Sequence, residues 1–149
     1  MTNDNNDITK AGAAEFNAFN TNLITEFRAN DGKVSGMFAG APLLLLTHTG
    51  AKSGQARVAP LAYTRAGEAF VVIASKAGAP THPHWYLNVV ANPEVTVEVP
   101  GETFAARARI AEGEERARLY RAQADLMPTF DEYAKKTERE IPVVVLERI

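Results

Sequence analysis

The period of the apolar positions changes several times along this chain, and each change predicts an element. Phe16, Phe19, Leu23, Ile24 and Phe27 recur at helical spacing, so an amphipathic helix is expected to end near Asn30 or Gly32. The Asn- and Asp-rich residues before it are expected to be disordered. Leu43 to Thr47 reads as a buried strand, Gly50 to Gly54 as a turn, and Arg57 to Arg65 as the returning strand of a hairpin. Pro60 cannot donate to a ladder, so that strand needs an open edge or a bulge there. Ala66-Gly67 turns the chain into an apolar strand from Phe70 to Ser75, and Gly78 to Pro83 forms a loop. A short helix from Trp85 to Val90 is stopped by Asn92-Pro93. Val95, Val97 and Val99, then Phe104, Ala106, Ala108 and Ile110, alternate with polar residues around Pro100-Gly101, which predicts a half-buried antiparallel hairpin. From Glu112 to about Met127 the period is helical, with Leu119, Tyr120, Gln123, Leu126 and Met127 on one side. Asp131 to Thr137 adds a turn or two of helix, and Ile141 to Leu146 closes as a strand. Six or so hairpin-connected strands with inserted helices predict an α+β fold built on a small antiparallel barrel.

A length of 149 residues at 46% hydrophobic and 23% charged suits one domain over 1–149, with about 1–12 outside the core. Cysteine is absent, which removes disulfides, thiolate metal sites and cysteine nucleophiles, and leaves any redox chemistry to a bound cofactor. No apolar run approaches the roughly 20 residues of a membrane helix, and MTNDNNDITK lacks the features of a signal peptide. A cytoplasmic protein is expected.

The net charge of −2 argues against a general nucleic-acid binder. Its distribution is more informative. Residues 1–31 carry two basic and five acidic side chains, and residues from Glu94 onward carry nine and twelve. Between them stand Lys33, Lys52, Arg57, Arg65 and Lys76 against Glu68 alone, a cationic island suited to an anionic ligand.

Most motifs fail. Thr49-Gly50-Ala51-Lys52-Ser53-Gly54 lacks the Gly before the Lys of a P-loop and lies between strands. No G-x-G-x-x-G, H-E-x-x-H or G-x-S-x-G is present, and His48, His82 and His84 lack acidic neighbours, so no metal site is expected. The cationic turn survives, because a glycine-flanked tip exposes backbone N–H groups while Lys52 and Arg57 supply charge for phosphate or carboxylate. Ser75-Lys76 ends the following strand, where a barrel could bring it beside that turn. Trp85 and Asn88, at i and i+3, could offer an aromatic wall and an amide, although core packing is an equal reading for the Trp.

The ordered series Glu26-Phe27-Arg28-Ala29-Asn30, Gly40 to Thr47, Thr49 to Gly54, Arg57, Pro60-Leu61, Ala74-Ser75-Lys76, Pro83 to Asn88, Ala91-Asn92-Pro93 and Ile141 to Val145 resembles the deazaflavin-dependent nitroreductase family of actinobacteria. The likeness runs from about Phe19 to the C-terminus. It implies a split β-barrel of the FMN-binding split-barrel type, and it implies coenzyme F420, whose phosphate and oligoglutamate tail is a polyanion. By this resemblance Lys52, Ser53 and Arg57 hold the phosphate and tail. The ring lies along Val58, Ala59, Pro60, Leu61 and Ala62, flanked by Ile73, Ala74, Ser75 and Lys76, with His84, Trp85, Tyr86, Leu87 and Asn88 on the other side. Where well-known members carry four tyrosines around the acceptor, this chain has Ala62, Met127, Phe130 and Tyr133, which implies a more apolar, roomier pocket.

The activity implied is hydride transfer from reduced F420 to an electron-poor small molecule: a quinone, an enone or a nitro compound. The protein's part is to position the ring and screen the hydride. Ser75 or Tyr133 can hydrogen-bond the acceptor oxygen or pass a proton. Two rival readings are a non-catalytic F420 carrier and an FMN-dependent split-barrel reductase. A monomer or weak homodimer is expected, with no nucleic acid, no membrane span and at most peripheral membrane contact.

Overall fold

The computed structural model describes residues 20–35, residue 40 and residues 42–149. The chain divides into two compact units, Met1–Ala41 and Pro42–Ile149. In the first, helix α1 covers residues 20–29. Asp31 and Gly32 then take left-handed backbone, at φ +53° and +85°. The Gly32 N–H donates back to the Phe27 carbonyl at 2.8 Å, which ends the helix where the sequence places its stop. Phe16, Phe19, Gly36 and the Asn-rich start lie outside the described residues.

The second unit is a seven-stranded sheet with β1 at Leu43–Thr49, β2 at Ala56–Ala62, β3 at Thr64–Ala66, β4 at Ala69–Ile73, β5 at Glu94–Val99, β6 at Glu102–Ile110 and β7 at Val143–Arg148. The spatial order is β2-β1-β5-β6-β7-β4-β3, and every neighbouring pair is antiparallel. The sheet curls until β2 meets β4, giving the expected split barrel. Helix α2 (His84–Ala91) connects β4 to β5, and α3 (Gly113–Leu126) and α4 (Thr129–Lys136) connect β6 to β7.

The sequence pattern follows from which faces are covered. Inside the curl, Leu44, Leu46, Phe70, Val72, Val95, Val97, Phe104, Ala106, Val144 and Leu146 pack with Trp85 and Val89 of α2. Outside it, Val71, Ile73, Val143 and Val145 pack under Leu119, Tyr120 and Ala124 of α3 and Phe130 of α4. Strands β4 and β7 are thus buried on both faces and read as unbroken apolar runs, while β6 is covered on one face and alternates. At one end of the inner core Phe70 meets Tyr63 edge-on at 5.2 Å and Phe104 at 5.4 Å. The Arg65 and Arg148 guanidiniums lie over those two phenyl rings at 4.0 and 3.9 Å.

Three expectations need adjusting. The strand expected from Arg57 to Arg65 is two strands broken at Tyr63, because β2 and β3 lie at opposite ends of the sheet order and the chain must cross between them. There the Tyr63 N–H donates to the Pro42 carbonyl. Leu126 is exposed, not buried, because α3 stops at it and Met127 takes the packed position before Pro128 turns the chain into α4. Among the described residues the strands number seven. The inference from Pro60 holds, since β2 is an edge strand in which Pro60 stands opposite Leu45.

Candidate functional site

The β1–β2 hairpin carries the cationic turn. The Gly50 N–H donates to the Gln55 carbonyl and the Gly54 N–H to the Gly50 carbonyl, so residues 50–55 form a compact tip. Within it the Gln55 N–H donates to Ser53 Oγ at 3.2 Å. Lys52 and Arg57 are exposed, and among the described residues neither has a carboxylate partner. Arg107 pairs with Glu94, Arg109 with Glu115, Arg121 with Asp125 and Asp131, and Arg148 with Glu102. Those pairs hold the Glu102, Glu115 and Asp131 carboxyls below the usual range. The turn therefore presents two cationic side chains without carboxylate partners among the described residues, a donor set that fits a polyanion.

Helix α2 fixes that turn in place. The Asn88 carboxamide is buried, and its Oδ1 accepts the Ala51 N–H at 2.9 Å. Its Nδ2 then faces His48 Nδ1 at 3.0 Å, so Nδ1 is the acceptor and the imidazole proton resides on Nε2. Asn92 adds a bond from Nδ2 to the Thr49 carbonyl at 3.3 Å. His48 is buried on β1 directly opposite Arg57 of β2. Burial, and then the nearby Arg57 charge, push its pKa down to about 4. A neutral histidine is thus built in beneath the cationic turn.

The second cluster lies where β4 ends. Ser75 is buried, and a single 3-10 turn, Lys76–Gly78, follows it, with Lys76 itself at φ +47°. Lys76 Nζ donates to Thr81 Oγ1 at 3.1 Å. The Arg139 side chain, from the segment between α4 and β7, binds this loop along its length. Nε donates to the Ala79 carbonyl at 2.8 Å, Nη1 to the Ala74 carbonyl at 3.2 Å and Nη2 to the Ser75 carbonyl at 2.7 Å. Nη1 also lies 3.0 Å from His82 Nδ1, which must accept because a guanidinium has no acceptor. Burial and the Arg139 charge lower the His82 pKa, in keeping with that neutral state.

Three of the four residues expected at the acceptor meet at the α3–α4 junction. Met127 and Tyr133 are half-buried against the outer core, Phe130 is buried, and Phe130 and Tyr133 touch edge-to-face at 5.4 Å. Tyr120 Oη donates to the Phe130 carbonyl at 2.6 Å, locking α3 to α4. Ala62 ends β2, half-buried, just before the Tyr63 crossover. A cavity of about 580 Å³ opens between α2, the start of α3 and the β7 approach, lined by His82, Tyr86, Glu112, Arg116, Arg139 and Pro142 among others. Of the expected cofactor residues only Tyr86 reaches it.

Lys52, Ser53 and Arg57 therefore share one hairpin, and Ile73, Ala74, Ser75 and Lys76 share one strand end and loop. On β2 the residues alternate. Ala59 and Leu61 pack into the inner core, which leaves Val58, Pro60 and Ala62 on the opposite face. On α2, Trp85 is part of the inner core and Asn88 is spent on the turn, while His84 and Leu87 are exposed and Tyr86 is half-buried. Sequence reasoning missed Arg139 altogether and weighed His48 only as a metal ligand. Among the described residues no group of three or more His, Asp or Glu is placed to hold a metal ion. The signal for Arg139 is invisible in sequence, since its partners are carbonyls some sixty residues away.

Known proteins similar to this chain were found by family, by sequence and by structure. The family model for F420H(2)-dependent quinone reductases matches residues 21–148. An F420H(2)-dependent quinone reductase of Mycobacterium tuberculosis is 38% identical over 126 residues, 82% of this chain and 85% of that protein. A solved F420-H2 dependent reductase (FDR-A) superposes with a TM-score of 0.67 at 42% identity, covering 71% of this chain and 94% of its own. A second solved chain, a domain-swapped dimer, gives 0.68 at 38% identity over 85% of this chain and 96% of its own.

Proposed function

The chain belongs to the F420H(2)-dependent quinone reductase family and is an F420-dependent oxidoreductase, and from that premise we propose that it reduces a quinone-class small molecule with the cofactor tail held on the β1–β2 turn. The observation that carries this reading is the pair Lys52 and Arg57, together on one hairpin, exposed and without carboxylate partners among the described residues, where Arg107, Arg109, Arg121 and Arg148 are paired.

When bound, reduced F420 supplies a hydride, two electrons and one proton, to the acceptor. The chain's own residues do the rest. Lys52, Ser53 and Arg57 bind phosphate and tail carboxylates, and Asn88 keeps their turn in place. Val58, Pro60 and Ala62 offer a half-buried apolar strip for a flat ring, with Ser75 and Lys76 at its flank. Met127, Phe130 and Tyr133 form an apolar wall that keeps water from the hydride. A quinone that accepts a hydride needs one further proton to become the hydroquinone. The Tyr133 phenol or the Ser75 hydroxyl is the donor toward the developing oxyanion, and Tyr133→Phe tests this by its effect on turnover with several acceptors. No helix among the described residues is long and apolar enough to cross a membrane, and the enzyme is proposed to act in the cytoplasm as a monomer or weak homodimer.

Fluorescence titration with F420, and separately with FMN, at low and high salt tests the cofactor site. Lys52→Ala and Arg57→Ala are each expected to weaken F420 binding about tenfold, in line with about 1.5 kcal/mol for a hydrogen bond to a charged group, and salt should weaken the wild type more than either variant. Unchanged affinity in both variants, or tighter binding of FMN, would refute this placement of the tail.

A further inference from the structure

We propose that Arg139, together with His82, is a positioning residue for hydride transfer: it holds the Ala74–Ala79 loop in the shape that presents Ser75 and Lys76 to the ring. The inference rests on the reading that this loop flanks the cofactor. Three observations carry it. The Arg139 guanidinium spends its donors on the Ala74, Ser75 and Ala79 carbonyls and on His82 Nδ1, all between 2.7 and 3.2 Å. Among the described residues it has no carboxylate partner, so loop carbonyls and a neutral imidazole are what satisfy it. Between the bonded carbonyls sits Lys76 at φ +47°, a backbone conformation uncommon for a residue other than Gly.

The same segment of chain reaches the loop a second time. A Cβ at Gly78 would stand 2.8 Å from Lys136 Cβ and from the Tyr133 carbonyl, so the 3-10 turn lies flush on α4. Arg139 follows α4 by three residues. One stretch, from Tyr133 to Arg139, therefore carries an acceptor-side phenol, touches the ring-side loop and staples it. A lysine cannot replace the arginine, because a single ammonium cannot span carbonyls from residue 74 to residue 79 with a planar fork.

His82 makes the staple sensitive to protonation. As a cation it loses the Nδ1 acceptor and faces Arg139 as a like charge. The other titratable groups around this cavity are Tyr86, 4.8 Å from the imidazole ring, Arg116, Glu112 and Glu140, and Tyr120 lies close to Arg139. Arg116 is held by two bonds to the Ile141 carbonyl and lies 3.9 Å from Glu140.

The test uses the full chain with reduced F420 and a water-soluble naphthoquinone. Arg139→Met and Arg139→Lys are expected to lower kcat at saturating F420 at least tenfold while F420 affinity changes less than threefold, because the tail site is untouched. His82→Asn, whose Oδ1 takes the place of Nδ1, is expected to recover more kcat than His82→Leu and to remove an acid limb from the kcat profile. Arg139 variants within twofold of wild-type kcat would overturn the proposal. So would equal kcat in His82→Asn and His82→Leu, the comparison that decides the matter if Arg139→Met does not fold. Ser75→Ala and Lys76→Ala in the same assay separate the two layers. If neither changes binding or turnover, the loop does not flank the ring and the underlying reading fails. If they do and the Arg139 and His82 variants do not, the positioning proposal alone fails.

Discussion

His48 shows what one buried side chain does for this site. Its folded pKa of about 4 lies below the ordinary value of 6.5, so the neutral form belongs to the folded state and unfolding takes up a proton between those limits. Its stabilisation is full above pH 6.5 and is lost as pH falls toward 4, a loss of about 2–3 kcal/mol. The paired carboxyls Glu102, Glu115 and Asp131 are held below their usual range by their arginine partners. His48→Phe should therefore reduce the slope of the stability profile between pH 6.5 and 4, as read by urea unfolding at several pH values, while lowering stability at pH 7 because Asn88 Nδ2 loses its acceptor. His82, whose pKa is also lowered, leaves a residual slope of the same sign. A slope unchanged in His48→Phe would mean that another group titrates there. From sequence, His48 was one of three scattered histidines. What gives it a role is the partner forty residues away that only the fold supplies.

At the scale of elements, the legible parts are those whose burial imprints a period. The alternation Phe104, Ala106, Ala108 survives into β6, and the unbroken Val143 to Leu146 run into β7. What stayed hidden were junctions. The break at Tyr63 leaves no mark in composition, since the chain crosses without changing polarity, and the 3-10 turn at Lys76–Gly78 exists because α4 and Arg139 press on it. The cationic turn could be read because charge is local. The spacing of Trp85 and Asn88 suggests an aromatic wall and an amide for a ligand, with core packing an equal reading for the Trp, and in the structure the Trp85 side chain fills the core and Asn88 ties down the turn. Gly78→Ala tests the contact between loop and α4. With φ at +80° and backbone oxygen 2.8 Å from the new Cβ, the alanine is expected to destabilise the protein by about 2–3 kcal/mol. Calorimetry should show a lowered Tm, and the acceptor KM should rise as α4 is displaced. A Tm equal to wild type would show that the loop is free to move away.

The whole sheet has one keystone. β7 lies between β6 and β4, so it joins β2-β1-β5-β6 to the β4-β3 pair, and its four apolar positions are buried on both faces. Truncation after Pro142 is expected to abolish the cooperative thermal transition seen by circular dichroism, since both cores lose their shared strand. A truncated chain that still melts cooperatively would show that the two halves of the sheet stand independently. The overall plan of strands and helices was readable because hairpins are local. The strand order was not, since pairing between β4 and β7 joins residues seventy or more positions apart. That order has a consequence for how the protein is made. Ribosomes deliver β1 to β6 first, and until the seventh strand arrives the two partial sheets stand with the edges of β6 and β4 unpaired. Until residues 143–148 emerge, the strand that pairs with both β6 and β4 is missing, so the sheet cannot close during synthesis of the first 142 residues.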